Sequence, residues 1–90
     1  MFEFDPEKSA ANLVKHGIDF ETAQALWTCY PLLVVETGWM SEPRWLAIGL
    51  IEDKHWTAVF TYRGENVRII SVRRSRNEEV MGYDTQTHNG

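Results

Sequence analysis

The chain has 90 residues, 43% hydrophobic and 24% charged, with six Gly and three Pro; that makes one small domain and excludes a disordered chain. Its one cysteine, Cys29, excludes an internal disulfide and suits a reducing cytoplasm, and with no apolar run near the roughly 18 residues of a membrane span and no signal peptide at Met1–Asp5, a cytoplasmic protein without a membrane partner is expected. The net charge of −4 argues against a protein that coats nucleic acid at large.

Phe2-Glu3-Phe4 alternates and reads as a short strand. Asp5-Pro6-Glu7 is a helix start: an acceptor for free N–H groups, a residue with preset φ, and an acid at the positive end of the dipole. The helix carries an apolar face of Ala10, Leu13 and Val14 and stops at His16-Gly17, where Gly17 can take the left-handed cap. Asp19 caps a second short helix with an apolar stripe of Phe20, Ala23, Leu26 and Trp27, ended by Tyr30-Pro31. Four strands follow, over Leu32–Glu36, Arg44–Glu52, His55–Arg63 and Asn66–Arg74. The last two hairpins turn at Asp53-Lys54 and Gly64-Glu65, the second as type II′ because Gly comes first. A final helix is expected over Asn77–Asp84. The whole is an α+β domain over residues 1–85, with 86–90 a frayed tail.

Those turns place Arg63 opposite Asn66, Thr61 opposite Arg68 and Phe60 opposite Ile69, with Trp45 opposite Tyr62 and Arg44 opposite Arg63. Alternation then puts Trp45, Trp56, Phe60, Tyr62, Ile69, Ser71 and Arg73 on one face, where the aromatics form core. Arg44, Thr61, Arg63, Arg68, Val72 and Arg74 fall on the other. Clustering of Arg44, Arg63 and Arg68 at one end of that face calls for an anion. The charge is polarised along the chain as well. Residues 63–76 hold five arginines against Glu65, whereas residues 1–43 hold Lys8 and Lys15 against seven acids. Guanidinium offers phosphate a planar fork.

There is no phosphate-cradling glycine loop, no Gly-x-Ser-x-Gly elbow and no His or Cys pair at metal-ligand spacing, so neither a metal nor a cofactor is expected. Cys29, beside Trp27 and Tyr30, reads as a small buried hydrophobe. His16 has two readings: an imidazolium satisfying the end of its helix, or a general acid or base facing a phosphate.

Taken together, these segments resemble the BrnT family, small toxins of type II toxin–antitoxin modules related to the RelE group of ribonucleases. Phe2-Glu3-Phe4-Asp5-Pro6-Glu7-Lys8 resembles the family's Phe-x-Trp-Asp-Pro-x-Lys opening. Asn12, Lys15-His16-Gly17, Phe20 and Ala23 are similar to its Asn-x-x-Lys-His-Gly-Val-x-Phe-x-x-Ala stretch. Arg44–Gly49 resembles Glu-x-Arg-x-x-x-Ile-Gly, Arg68–Arg73 resembles Arg-Ile-Ile-Ser-Ala-Arg, and Glu79 and Tyr83 match a Glu-x-x-x-Tyr in the last helix.

The resemblance implies a RelE-like fold, with a small, mainly antiparallel sheet, two N-terminal helices and a C-terminal helix. It implies a metal-independent endoribonuclease that inhibits translation and growth, acting on RNA free or on the ribosome. It implies neutralisation by a small BrnA-like antitoxin, with operator DNA reached only through that partner. Attack by a 2′-hydroxyl needs a base, charge stabilisation and an acid. Arginines supply the second, and Glu65, His16, His55 or Tyr83 could supply the others. The expected catalytic residues are therefore Arg63, Glu65, Arg73, Arg74 and His16, with Arg44, Arg68, Arg76 and Tyr83 binding RNA. This reading requires Arg63, Arg68, Arg73 and Arg74 to converge on one surface. The alternative is a catalytically silent module that pairs with an antitoxin or regulator through an exposed apolar patch around Trp39, Met40, Val80 and Met81.

Overall fold

The computed structural model describes residues 1–37 and 43–87. Capping residues set both ends of the first helix and the start of the second. Asp5 accepts from Glu7 N at 2.9 Å, and Pro6 opens α1 (Pro6–His16). Gly17, at φ 83°, closes that helix by donating to Leu13 O, a left-handed conformation that costs a residue with a Cβ. Asp19 caps α2 (Phe20–Ala23), accepting from Thr22 N at 2.7 Å, and the chain runs on into a 3₁₀ segment over Gln24–Thr28. Among the described residues, no helix is long and apolar enough to cross a membrane.

The strands are β1 (Phe2–Glu3), β2 (Leu33–Glu36), β3 (Trp45–Ile51), β4 (Lys54–Arg63) and β5 (Asn66–Arg74), and the last element is α3 (Asn77–Thr87). They form one sheet of order β1-β5-β4-β3-β2, antiparallel except for the parallel β1–β5 pair. The fold is therefore α+β, with a five-stranded mixed sheet and three helices. Helix α3 continues through Gln86 and Thr87, into the segment expected to fray.

The β4–β5 hairpin has the expected register, with Arg63 opposite Asn66 and Phe60 opposite Ile69. Gly64 alone of its two turn residues has positive φ, the type II′ pattern. The β3–β4 hairpin differs. It turns at Glu52-Asp53, both with positive φ, in a type I′ conformation that the short Asp side chain tolerates. Ile51 therefore pairs with Lys54 and Trp45 with Phe60, two residues away from the expected Tyr62. Arg44, one step beyond Trp45, falls beside Thr61 rather than Arg63, and Thr61 Oγ1 donates to Pro43 O at 2.8 Å.

A second departure lies within β5. The pairing steps from Phe60–Ile69 to Val59–Ser71, so Ile70 is the extra residue of a β-bulge. Past it, every side chain of β5 changes face. Val72 joins Ala58 on the buried side, and Arg73 pairs with Thr57 on the other. The expected positions of Arg73 and Arg74 are thus exchanged across the sheet.

One face of the sheet is packed against α1, α2 and the 3₁₀ segment. Phe20, Ala23 and Leu26 meet Ala47, Ala58, Phe60, Ile69 and Val72, all at most 2% exposed. Trp27 and Trp45 pack their rings on Phe60 at 5.2 and 6.1 Å between centroids. Trp56 and Trp45 pack against this core as expected, whereas Tyr62, at its rim, is 50% exposed.

Helix α1 contributes to this layer in an unexpected way. Its apolar face points outward, with Leu13 49% and Val14 89% exposed. It buries Ser9 and Asn12 instead. The Asn12 amide donates to Ile18 O at 2.8 Å and Val72 O at 2.9 Å, and accepts from Val72 N at 3.2 Å. Strand β1 pairs with β5 only at Val67 and Arg68, so farther along the Asn12 side chain takes the place of a neighbouring strand. Ser9 Oγ accepts from Phe20 N at 2.9 Å, joining α1 to α2. The buried side chains of Ser9 and Asn12 are thus hydrogen-bonded, which is the condition for burying them.

The second face is covered only in part, by α3. Tyr83, 3% exposed, donates to Pro31 O at 2.6 Å, and His55 Nε2 lies 3.0 Å from Asp84 Oδ1. These contacts hold the far half of α3 over β2, β3 and the start of β4 at His55, leaving the sheet open at the other end of the helix.

Candidate functional site

The open part of the second face is a cavity of about 520 Å³. Leu46, Val59, Ile70 and Ser71, from three adjacent strands, form its floor. Thr37 and Arg44 line one side, and Arg73, Arg76 and Glu79 line the other. The bulge and the register shift build this arrangement: one turns Arg73 to this face, and the other brings Arg44 level with Thr61. Larger clefts of about 590 and 740 Å³ flank the end of α3, but no Lys, Arg or His is among the described residues lining them. An anion is better served in the smaller cavity.

The best-organised group there is the Arg73–Glu79 pair. Arg73 Nη1 and Nη2 donate to Glu79 Oε1 and Oε2 at 2.8 and 2.9 Å, a bidentate fork. Glu79 Oε1 also accepts from Thr57 Oγ1 at 3.0 Å and from Arg76 N at 2.8 Å. The second bond is the reach-back of a capping box: Glu79 is the third residue of α3 and satisfies the N–H of the residue before its start. Thr57 Oγ1 in turn lies 2.7 Å from Ser75 Oγ. Burial pushes the Glu79 carboxyl up, but hydrogen bonds from Arg73, Arg76 N and Thr57, with the Arg73 charge, outweigh it and hold the group down at about 2. The same pairing raises Arg73. Glu79 is ionised and fully engaged at neutral pH, so it is a poor general base.

The expected convergence of Arg63, Arg68, Arg73 and Arg74 does not occur. Arg73 is joined by Arg44 and Arg76 instead. Arg74 lies on the opposite face, exposed, with its guanidinium 5.5 Å from the Trp56 ring centroid and Nε donating to His55 O at 3.2 Å. Arg63 and Glu65 are exposed on either side of Gly64. About six residues of β4 separate Arg63 from the position opposite Arg73, or roughly 20 Å at the rise of a strand. Arg68 is beside them, 3.4 Å from Glu3 Oε1, and the Asn66 amide donates to the other Glu3 oxygen at 2.7 Å. The anion that the clustered arginines called for at this end is thus, in part, the chain's own Glu3.

His16 sits half-buried in the last turn of α1 and does not line the cavity. Tyr83 is committed to docking α3. Burial, with Cys29 beside it, pushes its phenol up to about 12. Cys29 accepts from Leu50 N at 3.4 Å and is half-buried. Trp39 and Met40 lie outside the described residues; of their expected companions, Met81 is 67% exposed and Val80 is partly buried. Among the described residues, no group of three or more His, Cys, Asp or Glu is placed to hold a metal ion.

Sequence reasoning missed Glu79 and Thr57 as members of the site. A signal for Glu79 exists: acids at the start of a helix, just after the arginine-rich strand. Thr57 had none, because its role depends on the strand register.

Among curated proteins, none matches the chain. A family model described as the ribonuclease toxin BrnT of type II toxin–antitoxin systems matches residues 4–79, from Phe4 through both N-terminal helices and strands β2–β5 to Glu79. The chain therefore belongs to the BrnT family of ribonuclease toxins.

Proposed function

We propose that this chain is an endoribonuclease toxin whose RNA phosphate is held in the cavity between α3 and strands β3–β5. The observation that supports this reading best is the meeting of Arg44, Arg73 and Arg76 around one cavity whose lining also includes the hydroxyl residues Thr37 and Ser71. In the reaction, the 2′-oxygen attacks the adjacent phosphorus and the bond to the 5′-oxygen breaks. The proton leaves the first oxygen, another reaches the second, and charge builds on the two remaining phosphate oxygens. Fixed guanidinium groups in a partly enclosed site stabilise that charge without reorganising. They supply the role a metal ion would otherwise fill, so cleavage is metal-independent in this reading. As a type II toxin, the protein works against a small antitoxin of the BrnA kind, and RNA loss stops translation.

The test is induced expression in a bacterial host, with mRNA integrity and translation followed over minutes. Loss of intact mRNA that is abolished by Arg44→Ala or Arg76→Ala, and unaffected by chelator in the purified reaction, is the expected result. Full toxicity in both variants would remove the cavity from the reaction. Normal growth with soluble, folded wild-type protein would favour the silent binding module.

A further inference from the structure

We propose that Glu79 is a positioning residue for Arg73, fixing the guanidinium end-on so that its Nε–Nη2 edge is left to grip a phosphate. This rests on the proposed site and adds a residue to it. A guanidinium has five N–H donors, arranged as three edges. Glu79 takes one hydrogen each from Nη1 and Nη2, at 2.8 and 2.9 Å. Nη1 also makes a longer contact of 3.4 Å with Arg74 O. No described hydrogen bond uses Nε or the second hydrogen of Nη2, and these two lie side by side, at the spacing that matches two phosphate oxygens.

Glu79 is itself immobilised. Its side chain is 12% exposed, and Thr57 Oγ1 from β4 and Arg76 N from the start of α3 both donate to Oε1. The carboxylate is thus fixed from the sheet and from the helix at once. Arg73 stands on β5 just beyond a bulge, with a long side chain that has many rotamers when unheld. Fixing it beforehand removes the entropy that phosphate binding or the transition state would otherwise cost, and a misplacement of about 1 Å can lower a rate about 100-fold. A role confined to capping α3 would not need the second oxygen on Arg73. A role confined to stability would show in melting and not in the chemical step.

The experiment uses the purified full chain and a single-stranded RNA oligonucleotide, with single-turnover cleavage, RNA affinity and melting measured for wild type, Glu79→Gln, Arg73→Ala and the double variant. Gln keeps one acceptor oxygen for Arg76 N and Thr57 but replaces the other, which holds Arg73 Nη2, by an amide donor and loses the charge that holds the fork. Glu79→Gln is expected to slow cleavage by about 10- to 100-fold, with RNA affinity unchanged or tighter, because Arg73 loses its counter-charge. In the Arg73→Ala background, Glu79→Gln should cost nothing further. Should Glu79→Gln not fold, Glu79→Asp keeps the charge and draws the carboxylate back by one methylene; the same outcomes for the rate apply, with RNA affinity unchanged. Full-rate cleavage by the folded Glu79 variant, with cleavage lost in Arg73→Ala, overturns this inference and leaves the site standing; so does a full multiplicative loss in the double variant. Full-rate cleavage by Arg73→Ala overturns the proposed site and this inference together.

Discussion

The two faces of the sheet solve opposite problems with the same strands. The face under α1 and α2 is closed: its core side chains are at most 4% exposed, and its buried polar groups, Ser9 and Asn12, are hydrogen-bonded to backbone partners. The face under α3 is half closed. Its polar groups form an ionic network around Arg73 and Glu79, and guanidinium hydrogens are left over. The bulge at Ile70 divides the two, since it sends Val72 into the first and Arg73 into the second. The lesson is that one extra residue in a strand can separate packing from chemistry in a sheet too small to house them apart. In the first face the buried side-chain amide of Asn12 and hydroxyl of Ser9 serve the fold; in the second, hydrogens of the Arg73 guanidinium are kept back.

The sharpest way to break the closed face is Asn12→Ala. It leaves Val72 N, Val72 O and Ile18 O without their side-chain partner, and stability should fall by about 3 kcal/mol in urea unfolding. An undiminished midpoint would mean that the amide is not the edge of β5. The half-closed face should break with acid instead. Glu79 is held at about 2 in the folded chain, against 4.5 when unperturbed. Its folded value is depressed, so its contribution is fully present above about pH 4.5 and is lost as pH falls toward 2. The size is on the order of 3 kcal/mol. Glu79→Gln should flatten that part of the stability–pH curve, and an unchanged acid limb would contradict the assignment. Smallest of all should be Val14→Ser. Although this residue belongs to an apolar helical stripe, it is 89% exposed, and its replacement should move stability by no more than about 0.5 kcal/mol.

That last contrast shows where sequence reading runs out. The helix caps at Asp5, Gly17 and Asp19 and the turn at Gly64 were readable, because each depends on one residue's own conformational preference. The Glu52-Asp53 turn was misplaced by one residue, since neither Gly nor Asn marks it, and the hairpin register moved by two. The bulge left no trace in Ile69-Ile70-Ser71-Val72, where every residue suits a strand and neither Gly nor Pro interrupts. With it went the separation of Arg73 from Arg74. The burial of α1 through Asn12 rather than Leu13 was hidden because it depends on a strand edge sixty residues away. Of the expected site residues, Arg44, Arg73 and Arg76 meet, and only tertiary structure shows that Glu79 belongs with them.

The neighbours Arg73 and Arg74 therefore offer the most direct test of the account. Single-turnover cleavage of a single-stranded RNA should fall by about 100-fold or more in Arg73→Ala, the scale of removing one preorganised charge donor. In Arg74→Ala the rate should be nearly unchanged, with the cation–π contact to Trp56 and the exposed hydrogen bond to His55 O lost, at about 1 kcal/mol of stability. Equal losses in both variants, or a loss confined to Arg74→Ala, would contradict the placement of the active cavity under α3.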